Sequence, residues 1–361
     1  MKLAVFLPNW IGDVVMATPA LHALRNHFAQ DTIIGVMRPY VAEVLSGTAF
    51  LDETILSKTK GLTRGIAGLS RQLRRQTIDL ALLFTNSWRT GLASWLGGCK
   101  RRVGYARDGR SWMLTDRIKP LLGKDGNYHP SPVLEAYNRL AEHVGTPPPG
   151  YRLRLTVTAA DDHQADAVWN KFDMNIHRPV VLLNPGAAFG AAKHWPGHHF
   201  ARLARMMVDR LDAQVLVLCG PSERDLAQLI VQLTDRSEVH CLAEVKPSLG
   251  LTKACVNRAD LLITTDSGPR HFAAAFGRPV VTLFGPTHQA WSDTYYAREI
   301  CLQRELDCGP CQQRVCPLKG EQHHRCMEEL LPEEVFAAAM KLLSGTLPLR
   351  LLPEPERRRA S

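Results

Sequence analysis

Short apolar runs alternate with amphipathic stretches along the whole chain. In the first half, residues 3–7, 32–37, 54–56, 79–84 and 102–104 read as strands, and residues 12–28, 40–46, 66–76, 89–96 and 133–144 read as helices. Strands interleaved with helices predict a parallel, doubly wound sheet covered on both faces. The run Thr146-Pro147-Pro148-Pro149-Gly150 is a linker signal. A helix over 159–172 follows, and a second series has strands at 180–184, 215–219, 260–264 and 280–284. The pattern predicts an α/β chain with domains at 1–158 and 159–345 and a cleft between the carboxyl ends of the two sheets. After a last helix over 332–343, the tail 346–361 is expected to be disordered.

Residues 261–287, LLITTDSGPRHFAAAFGRPVVTLFGPT, spell out one strand–helix–strand unit. The first strand breaks at Asp266-Ser267-Gly268, and Pro269 stands where a first-turn proline is tolerated. Ser267 is the expected N-cap, and Gly268 lets a ligand approach the backbone. The helix start then offers N–H groups and partial positive charge to a phosphate, with Asp266 and His271 expected at the same opening. An isolated unit of this kind is more often a plain crossover. The polar groups gathered at its rim favour a ligand.

Three other strand ends carry chemistry. Asp13, after Pro8-Asn9-Trp10-Ile11-Gly12, suits either a helix-start acid or a general base for an acceptor hydroxyl. The loop 184–196, NPGAAFGAAKHWP, puts Lys193 after small residues, as in a phosphate cradle, although it matches neither Walker A nor the dinucleotide glycine pattern. Glu223 follows a third strand, where a carboxylate can accept from ribose hydroxyls. No Asp-x-Asp pair stands at a strand end, so charge on a departing diphosphate falls to Lys193 and the helix near Gly268.

At 361 residues and 45% apolar content the chain fits two globular domains, and no apolar run is long enough to span a bilayer. The N-terminus lacks a signal peptide's cleavage region, which predicts a cytoplasmic protein. The formal charge of +9 is concentrated at Lys58, Lys60, Arg64, Arg71, Arg74 and Arg75, and again at Lys100, Arg101, Arg102, Arg107 and Arg110. Such a surface suits phosphorylated glycolipid, membrane headgroups or nucleic acid. Cys308, Cys311, Cys316 and Cys326 lie within nineteen residues beside His323 and His324. They read either as a structural zinc site or as buried reduced thiols packing a loop.

Taken together, residues 9–21 (NWIGDVVMATPAL), 184–196, 266–287 and the cysteine segment near 308–326 resemble the lipopolysaccharide heptosyltransferases, glycosyltransferase family 9, and within it the heptosyltransferase II branch. The resemblance spans residues 1 to about 343. It implies a GT-B fold of two Rossmann-like domains and inverting transfer of heptose from ADP-heptose to a phosphorylated lipopolysaccharide inner-core acceptor. By the same resemblance Asp13 is the base, Lys193 contacts the donor diphosphate, and Asp266 contacts the sugar, with Ser267, Gly268 and His271 in the donor loop and Glu223 on the ribose. Where some relatives carry hydroxyl residues before the lysine, this chain has Ala187 and Ala188, so backbone N–H groups must serve there. No catalytic cofactor is implied, and any zinc would be structural. Lys60, Arg64, Arg71, Arg74 and Arg75 become candidates for holding the acceptor or the inner face of the cytoplasmic membrane, making the protein peripheral there. The alternatives are transfer of another nucleotide sugar, or an epimerase on the same fold. Nucleic-acid binding leaves Asp13, Lys193 and the 266–271 loop without a role, and no nucleic-acid partner is expected.

Overall fold

The computed structural model describes residues 1–57, 62–120, 122, 128–175 and 177–345, with the helical backbone alone for 62–64. The tail at 346–361 and Lys60 lie outside the described residues. The chain forms two compact units. Met1–Asp173 makes the first together with Lys246–Asn257 and Ala290–Ser292, and the rest of the chain makes the second. The helix after the proline linker therefore belongs to the first unit.

The first unit holds β1 (Lys2–Phe6), α1 (Ile11–Met16), α2 (Thr18–His27), β2 (Thr32–Met37), α3 (Pro39–Leu45), β3 (Glu53–Leu56), α4 (Leu62–Gln76), β4 (Leu80–Leu83), α5 (Trp88–Leu96), β5 (Arg101–Tyr105), β6 (Asp116–Ile118), α6 (Val133–His143) and α7 (Ala159–Lys171). Its sheet runs β3-β2-β1-β4-β5-β6. All its strand pairs are parallel. Central strands such as β4 are buried along their whole length, as a sheet covered on both faces requires. The single helix expected over 12–28 breaks at Ala17. Pro19 cannot donate to the Val15 carbonyl four residues back, and the Thr18 hydroxyl takes that carbonyl instead at 2.7 Å.

The second unit holds β7 (Val180–Asn184), α8 (Gly197–Leu211), β8 (Gln214–Val217), α9 (Arg224–Thr234), β9 (Val239–Cys241), β10 (Leu261–Thr265), α11 (Gly268–Phe276), β11 (Val280–Phe284), β12 (Glu299–Gln303), α12 (Arg325–Glu328) and α13 (Pro332–Leu343), while α10 (Leu249–Arg258) lies mostly in the first. Its sheet reads β9-β8-β7-β10-β11-β12, the same order as the first sheet when its own strands are counted in sequence. The α/β expectation thus holds in both units. Three strands escaped the sequence pattern: β6, β9 and β12. All three are sheet edges, where one side is unpaired and the apolar signal thins.

In each sheet the chain reverses direction of growth between two adjacent strands, β1 and β4 in one and β7 and β10 in the other. Loops leaving such a pair diverge to opposite faces and open a crevice above the strand ends. No helix among the described residues is long and apolar enough to cross a membrane.

Candidate functional site

The crevice of the second sheet lies above β7 and β10, paired in register with Asn184 opposite Thr264. The Asn184 amide donates to the Thr264 hydroxyl at 2.9 Å and to the Ser267 hydroxyl at 2.8 Å. Thr265 donates to the Gly186 carbonyl at 2.8 Å. These bonds pull the two loops together at their roots. They also correct the expectation for Ser267: it occupies the N-cap position, but its side chain caps nothing. Its hydroxyl is drawn sideways to Asn184 and away from the first turn of α11.

Lys193 and Asp266 meet at this point. The Lys193 ammonium lies 2.5 Å from Asp266 Oδ2 and donates to the Asp266 carbonyl at 3.0 Å. Both side chains are about nine-tenths buried. Thr287 donates to the same carboxylate oxygen at 2.8 Å, and Arg270 stands 3.7 Å from the other. Burial alone would raise the Asp266 pKa. The Lys193 and Arg270 charges and the two donors outweigh it and hold the carboxyl below its usual range. Arg270 is itself locked from beneath: Glu299 receives its guanidinium at 2.5 and 3.0 Å, Thr282 donates to Glu299 at 2.6 Å, and the guanidinium lies over the Phe284 ring. Arg270, Glu299 and Thr287 were not singled out from the sequence.

Glu223 reaches the same crevice from β8. Its carboxylate accepts from the Gly220 N–H at 2.7 Å and packs on Gly186 so closely that a Cβ there would stand 2.1 Å from it. His271 departs from expectation. It is not on the rim but buried at 3% exposure, and its Nδ1 has no hydrogen-bond partner. Burial, with Arg270 close by, pushes its pKa down to about 3, so the ring is neutral.

In the first unit, Asp13 stands in the first turn of α1 at the carboxyl end of β1. Its charge adds to the burial that raises the phenol of Tyr137, whose ring packs on Phe84 at 5.1 Å. A cavity of about 100 Å³ at the ends of β1, β2 and β4 is walled by Asn9, Arg38, Thr85 and Arg89. Arg71, Arg74 and Arg75 are exposed on α4, and the side chain of Arg64 lies outside the described residues. Within the second basic group Arg110 is structural, whereas Lys100 and Arg101 stay exposed. Arg110 is fully buried and donates to backbone carbonyls of Tyr105 and Thr85, while Lys100 and Arg101 pair with Asp79 and Asp116. Trp95, on the helix α5 that packs on α4, meets Trp112 edge to face at 5.4 Å, and the two remain 44% and 53% exposed.

Cys308, Cys311, Cys316 and Cys326 line one cavity of about 70 Å³ with His324. All four are free thiols, and burial with the neighbouring thiols raises Cys326 to about 11. Among the described residues, no three of these sulfurs lie within 4.8 Å of one another. Three metal-ligating side chains do come that close, among the described residues, at His198, His199 and Glu328.

The sequence profile described as "Glycosyltransferase family 9 (heptosyltransferase)" matches residues 66–322. The chain belongs to glycosyltransferase family 9. Like other members, it is a glycosyltransferase. It is 28% identical to a lipooligosaccharide heptosyltransferase 2 of Campylobacter jejuni over 96% of this chain and 99% of that protein. It is 29% identical to lipopolysaccharide heptosyltransferase 2 of Escherichia coli, over 80% and 83% of the two chains. A solved structure of E. coli ADP-heptose lps heptosyltransferase II superposes with a TM-score of 0.76 at 23% identity, covering 96% of this chain and 99% of that one. The family 9 fold is GT-B, and the paired sheets of this member follow it.

Proposed function

We propose that this family 9 member moves heptose from ADP-heptose to the phosphorylated inner core of lipopolysaccharide, with inversion. The observation that carries the donor half is the meeting of Lys193, Asp266 and the start of α11 at the crevice of the second sheet. An ammonium and a helix start are the groups a departing diphosphate needs. The Asp266 carboxylate, freed from Lys193 as the diphosphate arrives, offsets positive charge developing on the sugar. Glu223 offers its carboxylate to the ribose. In the acceptor half Asp13 takes the proton of the attacking hydroxyl, and Arg38 and Arg89 wall a cavity suited to the acceptor's anionic groups.

Because Lys193 and α11 meet the leaving-group charge, transfer is expected to proceed at full rate in excess EDTA. A thermal-shift panel of ADP-heptose, ADP-glucose and UDP-sugars tests the donor, and stabilisation by UDP-sugars alone would reject it. Asp13→Ala should abolish transfer while ADP affinity stays nearly unchanged; retained turnover would reduce Asp13 to a helix-start acid.

Peripheral attachment to the inner face of the cytoplasmic membrane, with the protein otherwise cytoplasmic, is supported by the surface around α4. Arg71, Arg74 and Arg75 are exposed on α4, and Arg74 donates at 2.6 Å to the carbonyl of Leu96, the neighbour of Trp95 in the chain. Basic side chains beside half-exposed tryptophans suit anionic headgroups over an acyl boundary. Replacing Trp95 and Trp112 by Ala, or reversing charge at the three arginines, should each prevent sedimentation with anionic vesicles. Unchanged sedimentation of both would reject the surface.

A further inference from the structure

The segment between β12 and α12 touches the turn that carries Lys193 at Gly190 and on both backbone groups of Ala192. Ala191–Lys193 is a single 3-10 turn closed by Lys193 N–H donating to the Gly190 carbonyl at 3.1 Å. Ala192, in its middle, gives its N–H to the Arg314 carbonyl at 3.0 Å. Its own carbonyl accepts from His324 Nε2 at 3.0 Å. Gly190, at φ 158°, lies so close to the segment that a Cβ would stand 2.3 Å from the Arg314 carbonyl oxygen. The Arg314 guanidinium and the Lys193 ammonium share the Phe189 ring, at 5.5 and 4.8 Å from its centre.

The segment is anchored in turn. Gln312 donates to the Pro286 carbonyl at 2.7 Å, and His324 N–H donates to Cys316 Sγ at 3.3 Å. Pro286 immediately precedes Thr287, which donates to the same Asp266 carboxylate oxygen that Lys193 meets. One strap thus bonds both the turn that carries Lys193 and the loop that carries Thr287.

We infer that this strap positions the Lys193 ammonium for the donor diphosphate, with His324 as the positioning side chain and Gly190 the point of close contact. The inference rests on the reading of Lys193 as the diphosphate ligand. A three-residue turn has too few internal bonds to fix a lysine; the strap supplies the two that hold Ala192. Losing one such bond, at about 1 kcal/mol, weakens binding roughly five- to tenfold.

The experiment compares ADP and AMP affinity by calorimetry, with kcat and KM, in Lys193→Ala, His324→Ala, His324→Gln and Gly190→Ala. Lys193→Ala must lose ADP affinity; if it does not, the reading of Lys193 fails, and the strap inference with it. Given that loss, His324→Ala should weaken ADP about five- to tenfold and leave AMP within twofold, because AMP lacks the phosphate that a displaced ammonium would miss. His324→Gln, which keeps a donor at the ε position, should recover most of the difference. Gly190→Ala should weaken ADP more than His324→Ala does. Equal weakening of ADP and AMP in His324→Ala would mark a structural role and overturn the inference, as would unchanged ADP affinity in His324→Ala. Should Gly190→Ala fail to fold, the His324 pair decides alone.

Discussion

A buried lysine is tolerable only with its charge answered, and Asp266 answers that of Lys193 at 2.5 Å. Breaking one side of such a pair typically costs about 3–5 kcal/mol because the survivor is left buried and uncompensated. Asp266→Asn should therefore lower the unfolding free energy by about 3 kcal/mol, and saturating ADP should restore more stability to the variant than to the wild type. Chemical denaturation with and without ADP measures both. His271 sets a pH dependence. Its folded pKa of about 3 lies below the unfolded value of 6.5, so the unfolded chain binds the extra proton between them. The stability His271 contributes is complete above pH 6.5 and declines as pH falls toward 3. Asp266, also depressed, adds its own loss only below 3.8. His271→Gln should flatten the slope of unfolding midpoint against pH between 6.5 and 4. At this scale the sequence displayed Lys193, Asp266 and Glu223, because each follows a strand end in a loop of small residues. It hid Arg270 and Glu299, whose pairing spans 29 residues and joins a helix to an edge strand without any local pattern.

Among elements, the strap was the least legible. Its cysteine spacing reads as a zinc site or packed thiols, and neither reading announces the bonds that Ala192 makes with the Arg314 carbonyl and the His324 side chain. Central strands were legible because burial on both faces enforces unbroken apolar runs; of the four edge strands only β3 was. The break at Ala17 was written in Pro19 and was overridden by the amphipathic period around it. Gly186 carries a specific expectation. A Cβ at 2.1 Å must displace Glu223, a flexible carboxylate rather than fixed backbone. Gly186→Ala should change unfolding free energy by no more than about 1 kcal/mol, yet weaken nucleotide affinity as strongly as Glu223→Ala does. Binding isotherms for both variants, with a melt for each, check this.

The whole molecule contains two units, each with its own buried apolar cluster. Every residue proposed above to contact the donor belongs to the second. ADP at a hundred times its Kd should stabilise that unit by about 2.7 kcal/mol and leave unfolding of the first unmoved, as segment-resolved hydrogen exchange would report. The paired state of Lys193 adds a further consequence. On the proposed reading, an incoming diphosphate finds no bare cation there; it takes the place of a carboxylate, so its arrival exchanges one ion pair for another. Such an exchange is nearly indifferent to ionic strength. The open arginines of α4 are not, and contact through them weakens steeply as salt shortens the Debye length from about 30 Å at 0.01 M to about 8 Å at 0.15 M. One protein should thus hold its nucleotide almost equally well in dilute and physiological salt while its grip on a charged surface loosens.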